Sequence, residues 1–104
     1  MKPTILPLHE LVDYKKGQIR SRVLRKALGV ELPITIFALD EGESISAEQT
    51  ALTKLIQIID GTLEIWIEED CFFLRTGELI TISPNTQHKI KAKEQCKFLQ
   101  IEST

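Results

Sequence analysis

Short apolar stretches that end at turn residues recur along most of this chain. Residues 34–39 are rich in β-branched and other apolar side chains and stop at an Asp-Glu-Gly turn, and residues 54–59 stop at Asp60-Gly61, a strong hairpin signal. Further stretches of this kind occupy residues 71–74, 79–82 and 97–102. All of them are short and bounded by turn residues, so the pattern predicts β-strands.

Alternation of apolar and polar residues marks two more strands. In segment 63–67 the aliphatic residues share one face, and Glu64 and Trp66 share the other. In segment 88–93, His88 and two apolar residues alternate with three lysines. This pattern puts His88 on the inner face of a strand and the lysines on its solvent face.

Helix is expected only in the first third of the chain, at residues 8–14 and in the basic segment 21–28. Within residues 19–23, apolar or small side chains alternate with arginines, so we predict a strand there. The total of seven to nine strands with little helix predicts a sandwich or barrel. No linker divides the sequence, so residues 1–104 are expected to form a single domain.

Composition limits the classes of partner. The chain has 13 basic and 15 acidic residues, a net charge of −2, and we therefore expect no nucleic-acid binding. The basic residues near position 22 are expected to be a solvated surface. No apolar run has the length of a signal peptide or membrane span, so we expect a cytoplasmic protein. Cys71 and Cys96 lack the spacing of a metal site and are expected to be reduced.

Two spaced patterns of glycine and polar residues follow residue 40. The first begins at Gly42, passes positions 48, 50 and 54 and ends at Gly61, and the second runs from Gly77 to His88 and Ala92. These frames resemble the two cupin motifs, G-x5-H-x-H-x3-E-x6-G and G-x5-P-x-G-x2-H-x3-N, with several consensus residues replaced. The resemblance to the cupin superfamily covers residues 36–101. It implies a cupin barrel, which is a double-stranded, jelly-roll-like β-helix, with segment 1–35 packed on the barrel or at a dimer interface.

The residues at the family's metal positions differ from the usual ligands. Where a metal cupin has three histidines and a glutamate, this chain has Glu48, Thr50, Lys54 and His88. An ammonium group a few ångströms from a divalent ion is unfavourable by several kcal/mol at an effective dielectric constant of about 20. We therefore predict no metal and no other cofactor. The alternative is a weakly bound divalent transition metal held by His88 and Glu48.

The same four residues are the candidate ligand-binding residues. Glu48 and Thr50, two positions apart on one expected strand, would share a face, and Lys54 and His88 would join them at an interior cavity. The leading hypothesis is a metal-free barrel that binds a small molecule. One alternative is an enzyme, either a metal-free isomerase or epimerase with His88 as acid or base, or a weak metal-dependent oxygenase or isomerase. Another is a vestigial pocket filled by a Glu48–Lys54 ion pair.

The oligomeric state predicted from the sequence is a homodimer. The chain is small and has apolar strand faces, and the small cupins that it resembles often pair through their sheets. Trp66 shares a strand face with two glutamates. It is expected either to lie in an interface or to be covered by the N-terminal segment.

Overall fold

A computed structural model describes residues 2–104, and these residues form nine strands and little helix. The strands are β1 Ile19–Val23, β2 Ile34–Leu39, β3 Ser44–Glu48, β4 Thr53–Asp60, β5 Thr62–Ile67, β6 Asp70–Arg75, β7 Leu79–Ile82, β8 His88–Ala92 and β9 Cys96–Ser103. A 3-10 turn at Leu8–Glu10 and one helix, α1 at Arg25–Leu28, complete the regular structure. The predicted all-β class is confirmed.

The strands form two antiparallel sheets that face each other. One sheet has five strands in the order β1-β2-β9-β4-β7, and the other has four in the order β3-β8-β5-β6. Few of these neighbours are consecutive in sequence, so most connections cross from one sheet to the other, as in a jelly roll. This topology is the predicted cupin barrel.

The space between the two sheets holds the main hydrophobic core. Its buried side chains are Leu39, Ile56, Ile58, Leu63, Ile65, Leu74, Ile82, Ile90, Ala92, Cys96 and Phe98. The rings of Phe37 and Phe98 stack across β2 and β9 with their centroids 4.9 Å apart. The alternating residues of β5 and β8 therefore point inward as the sequence pattern predicted.

A second core lies on the outer face of the five-stranded sheet. Ile34, Ile36 and Ala38 of β2 are buried there with Val12 and Leu24 of the N-terminal segment. Strand β2 thus packs on both faces, which is why residues 34–39 are almost uniformly apolar instead of alternating. Hydrogen bonds add to this contact, because Tyr14 Oη donates to Asp60 Oδ2 at 2.6 Å and Gly17 N donates to Asp40 Oδ2 at 2.7 Å.

The N-terminal third differs in detail from the sequence-based prediction. Residues 19–23 form the expected strand, but it is followed directly by the single helical turn of α1, which ends at Gly29 in the left-handed conformation with φ of 69°. Of the possible helix at residues 8–14, only the 3-10 turn forms. In the described part of the chain, no helix is long and apolar enough to cross a membrane.

Candidate functional site

Glu48 reaches the barrel interior because β3 contains a β-bulge. Ile45 and Glu48 are three positions apart, so a regular strand would point their side chains to opposite faces. Ile45 pairs with Ile90 and Glu48 pairs with His88, and the register of β3 against β8 shifts between these two pairs. The additional residue in β3 therefore turns Glu48 to the inner face, beside His88.

Lys54 meets Glu48 and His88 from the opposite sheet. Its Nζ atom lies 2.9 Å from Glu48 Oε2 and 2.9 Å from His88 Nε2. The Lys54 side chain is only 3% exposed, whereas the Glu48 side chain is 44% exposed. The ammonium group is thus buried at one end of the barrel, and the carboxylate connects it to solvent.

The hydrogen bonds of His88 determine its tautomer. Nδ1 lies 2.9 Å from the carbonyl oxygen of Thr86. A carbonyl oxygen can only accept, so we assign the ring hydrogen to Nδ1. In a neutral imidazole, Nε2 then has a lone pair that accepts from the Lys54 ammonium. Lys54 therefore donates to both neighbours, and the lone pair of His88 is occupied.

Thr50 does not share a strand face with Glu48, so that prediction is wrong. Strand β3 ends at Glu48, and Thr50 lies in the loop before β4. Its Oγ1 accepts a hydrogen bond from Leu52 N at 3.2 Å, and its carbonyl oxygen accepts from Asn85 N at 2.6 Å. The two-residue periodicity of a strand no longer applies after the strand ends, so Thr50 ties two loops together instead of facing the interior.

The predicted interior cavity for a small polar molecule is also not found. The space beside Glu48, Lys54 and His88 has a volume of about 10 Å³. That is room for one water molecule at most. The rest of the lining of this space consists of three isoleucines and three polar or charged residues, Ser46, Lys89 and Gln100. Gln100 was not singled out from the sequence, although it lies two positions after buried Phe98 and so on the same inward face of β9.

These residues do not fit the metal that the family resemblance implies. Both potential ligands, Glu48 and His88, are already bonded to the Lys54 ammonium. A divalent ion within reach of both would lie beside a buried positive charge, and one imidazole and one carboxylate are fewer ligands than such an ion normally has. No group of three or more His, Cys, Asp or Glu residues in the described part of the chain is placed to hold a metal ion.

Trp66 lies on the outer face of the four-stranded sheet. Its Nε1 donates to Glu64 Oε2 at 2.9 Å, and the Lys89 ammonium lies 5.1 Å from the centre of its ring. The N-terminal segment packs on the other sheet. Of the two expectations for Trp66, coverage by that segment is therefore wrong.

The comparisons with known proteins agree with this fold. No protein-family model and no curated protein matches the chain. Among solved structures, a conserved protein of unknown function from Streptococcus pyogenes matches with a TM-score of 0.88 and 25% identity, over 100% of this chain and 90% of that one. A cupin superfamily protein from Desulfitobacterium hafniense matches with a TM-score of 0.85 and 26% identity, over 94% and 88% of the two chains.

A cupin 2 conserved barrel domain protein from Leptotrichia buccalis is a third match. It has a TM-score of 0.86 and 26% identity over 95% of this chain, which spans 47% of that protein. All three matches extend over at least 94% of this chain with TM-scores of 0.85 or more. This protein is therefore a small cupin-barrel protein, similar to solved members of the cupin superfamily.

Proposed function

We propose that this protein is a metal-free cupin whose barrel interior is structural and whose function is binding at its surface. The observation that supports the proposal is the position of Lys54 Nζ, 2.9 Å from each of the two remaining potential metal ligands. The ammonium group provides a positive charge where the family resemblance places a metal ion. The charge of Glu48 is thereby balanced without a cofactor.

The same geometry argues against the hypotheses that need space inside the barrel. A proton-transfer enzyme requires a substrate atom within hydrogen-bond distance of His88. Nε2 is bonded to Lys54, and the interior space that His88 shares with Lys54 and Glu48, about 10 Å³, is too small for a substrate. A small molecule bound in the barrel meets the same obstacle. We therefore favour the alternative in which the pocket is vestigial and filled by an ion pair.

Metal binding by a charge-changed variant tests this proposal. Wild-type protein purified without an affinity tag is expected to contain clearly substoichiometric zinc, iron, manganese and nickel. The variant Lys54→Glu replaces the internal cation with a third potential ligand beside Glu48 and His88, so it is expected to bind Co²⁺ with the absorption spectrum of a protein site. The matched control, Lys91→Glu on the outer face, is expected to bind no more Co²⁺ than wild type does. About one metal ion per wild-type chain, lost in His88→Ala, would contradict the proposal.

We also propose that the protein is a homodimer that pairs through β1. The five-stranded sheet is one strand wider than the sheet that it faces, and all five residues of β1 are exposed. Ile19 and Val23, which share a face with Leu39 of the core, are 38% and 61% exposed. A second copy would cover this apolar strip and the free edge of β1.

Light scattering tests the dimer. At micromolar concentration the mass is expected to be about twice the 11.8 kDa of one chain. The variant Val23→Glu is expected to shift the protein to monomer, and Phe73→Glu, an equally exposed position on the other sheet, is expected to leave the dimer intact. A monomeric wild-type protein would exclude this interface.

A further inference from the structure

The outer face of the four-stranded sheet carries a groove with basic and aromatic side chains. The groove has a volume of about 470 Å³ and is lined by Ser44, Ser46, Glu64, Trp66, Lys89 and Lys91 among others. We call this surface the outer groove. A smaller depression of about 240 Å³ adjoins it and shares Trp66 and Lys89. The barrel interior is too small for a ligand, but the volume of the outer groove lies within the size range of small-ligand sites.

The pairing of the strands brings cations together on this face. Lys89 and Lys91 of β8 lie opposite Trp66 and Glu64 of β5. Lys93 continues the same alternation, and its ammonium group lies 5.8 Å from the centre of the Phe73 ring. Arg75 lies opposite Thr62 on the same face. On a chain of net charge −2, this is a local positive surface.

The carboxylates near these cations are already engaged in hydrogen bonds. Glu64 Oε2 accepts from Trp66 Nε1 at 2.9 Å, and Glu94 Oε1, at the far end of the face, accepts from Thr62 Oγ1 at 3.1 Å. Neither carboxylate lies within ion-pair distance of a lysine on this face. The ammonium groups of Lys89 and Lys91 therefore have no carboxylate partner among the described residues.

We propose that the outer groove binds a planar aromatic anion of nucleotide size, whose ring stacks on Trp66 and whose acidic group is held by Lys89 and Lys91. The ammonium of Lys89 lies over the indole ring, 5.1 Å from its centre. A ligand ring that stacks on this face takes the place of the ammonium, and the flexible lysine side chain then reaches the acidic group of the ligand beside the indole. Charge complementarity selects an anion, and the aromatic surface selects a planar ring. This proposal names the ligand class for the surface binding proposed above and rests on it.

Intrinsic fluorescence measures binding at this groove directly, because Trp66 is the single tryptophan of the chain. Titration with adenosine 5′-monophosphate is the principal arm. Adenosine and inorganic phosphate are comparison arms that each retain one half of the recognised chemistry. We expect saturable quenching by the nucleotide and much weaker effects of the other two compounds.

Two charge-reversal variants distinguish binding in the outer groove from a general electrostatic attraction between the nucleotide and the protein. Lys89→Glu and Lys91→Glu are expected to weaken nucleotide binding by at least about tenfold each, because each loses a charge-assisted contact. The matched controls Lys15→Glu and Lys26→Glu change exposed cations of the N-terminal segment, which packs on the other sheet, and are expected to leave affinity within about twofold.

The proposal is wrong if the nucleotide produces no saturable change or if both lysine variants bind it as wild type does. Binding of a single-stranded oligonucleotide without binding of the mononucleotide would also overturn it and identify a polymer-binding surface. These outcomes are separate from those of the metal experiment, which reports on Lys54 in the interior. A metal-free protein that fails to bind the nucleotide would disprove only the ligand class.

Discussion

Lys54 and Lys97 are both nearly fully buried, with 2% and 5% of their surfaces exposed, but their ammonium groups are satisfied in different regions and by different partners. Lys54 lies inside the barrel and is held by the Glu48 carboxylate and the His88 imidazole. Lys97 lies on the outer face of the five-stranded sheet. It donates to the carbonyl oxygen of His9 at 2.6 Å, and its ammonium lies 5.0 Å from the centre of the Tyr14 ring.

This comparison shows two ways in which one small barrel buries a cation. The interior lysine has a full counter-charge, so its site resembles an occupied metal centre in which the cation is part of the chain. The outer lysine bonds a carbonyl oxygen and lies over an aromatic ring, both from the N-terminal segment. Its cross-strand neighbour Asp60 accepts the hydrogen bond of Tyr14 and forms no ion pair with Lys97. The first lysine completes the barrel, and the second attaches the segment that covers it.

Removal of the interior counter-charge is expected to have the largest effect. Glu48→Ala leaves the buried Lys54 ammonium without a carboxylate, and we expect the free energy of unfolding to fall by about 3 kcal/mol. This value is at the low end for a buried pair because Glu48 is half exposed and water can partly replace it. The control Glu69→Ala, in an exposed turn, is expected to change stability by less than about 0.5 kcal/mol. Equal urea midpoints for the two variants would show that the pair has no structural role.

The two lysines themselves can be compared by the same substitution. Lys54→Met leaves the lone pair of His88 Nε2 buried without a donor, and we expect a loss of about 2 kcal/mol. Lys97→Met removes the donor to the carbonyl oxygen of His9, which is an exposed residue that water can reach. The apolar side chain of the new methionine is compatible with the apolar residues around it. We expect a loss of about 1 kcal/mol or less. Denaturant unfolding measures both, and a larger loss for Lys97→Met would reverse the assignment of the two roles.

Tyr14, whose ring lies beneath the Lys97 ammonium, makes the stability of this outer region depend on alkaline pH. Burial, followed by the hydrogen bond to the Asp60 carboxylate and its charge, raises the pKa of Tyr14 well above its ordinary value. The folded protein therefore retains a proton that the unfolded chain releases above about pH 10, so stability should fall as pH rises through that range. Tyr14→Phe is expected to lose about 1 kcal/mol at neutral pH and to lack the part of the alkaline decline that Tyr14 causes.

Tyr14 is the single tyrosine of the chain, so phenolate absorbance reports on this residue alone. We expect the absorbance change of the folded protein to coincide with alkaline unfolding. A normal titration near pH 10 without unfolding would contradict the role of Asp60.

Of these substitutions, the one at Asp40 is expected to change stability least, and its effect is expected to disappear at acid pH. The pKa of Asp40 is lowered mainly by the hydrogen bond from Gly17 N and next by the hydrogen bond from the Gln95 side chain. Through these two bonds Asp40 connects the N-terminal segment to the loop before β9. Because the pKa is lowered, the charged Asp40 carboxylate stabilises the folded protein above about pH 4, and this stabilisation is lost as pH falls below that value. Asp40→Asn is therefore expected to melt slightly below wild type at pH 7 and to approach it in acid. A constant difference across this range would show that the charge is irrelevant.

Most of the fold was predictable because strand period and turn chemistry are local properties. The alternation in residues 63–67 and 88–93 correctly predicted the inward faces of β5 and β8, and Asp60-Gly61 correctly marked the end of β4. The hairpin that Asp60-Gly61 indicated does not form, because β4 and β5 lie in different sheets. The motif frames predicted the cupin barrel although most ligand residues are replaced. The one-turn helix α1 was not separated from β1, because four residues are too few for a helical period to be recognised.

The candidate site was predictable only in part. Glu48, Lys54 and His88 meet as the motif frame implied, but the bulge in β3 changes the parity of the strand and excludes Thr50. No sequence pattern in residues 44–50 indicates that β3 contains the additional residue of a bulge. The outer groove was not predictable because it combines lysines of β8 with Trp66 of β5, and the sequence does not show that these two strands pair.

The sequence by itself determined which residues alternate, where the chain turns and that the family's metal ligands are replaced, because all of these are properties of neighbouring positions. Only the tertiary structure decided that the Lys54 ammonium fills the centre between Glu48 and His88, and that about 10 Å³ of space is left there. It also decided which sheet the N-terminal segment covers and which face remains open. These outcomes depend on the register of strands far apart in sequence and on the volume of side chains that meet between them, and neither quantity is encoded in any single segment.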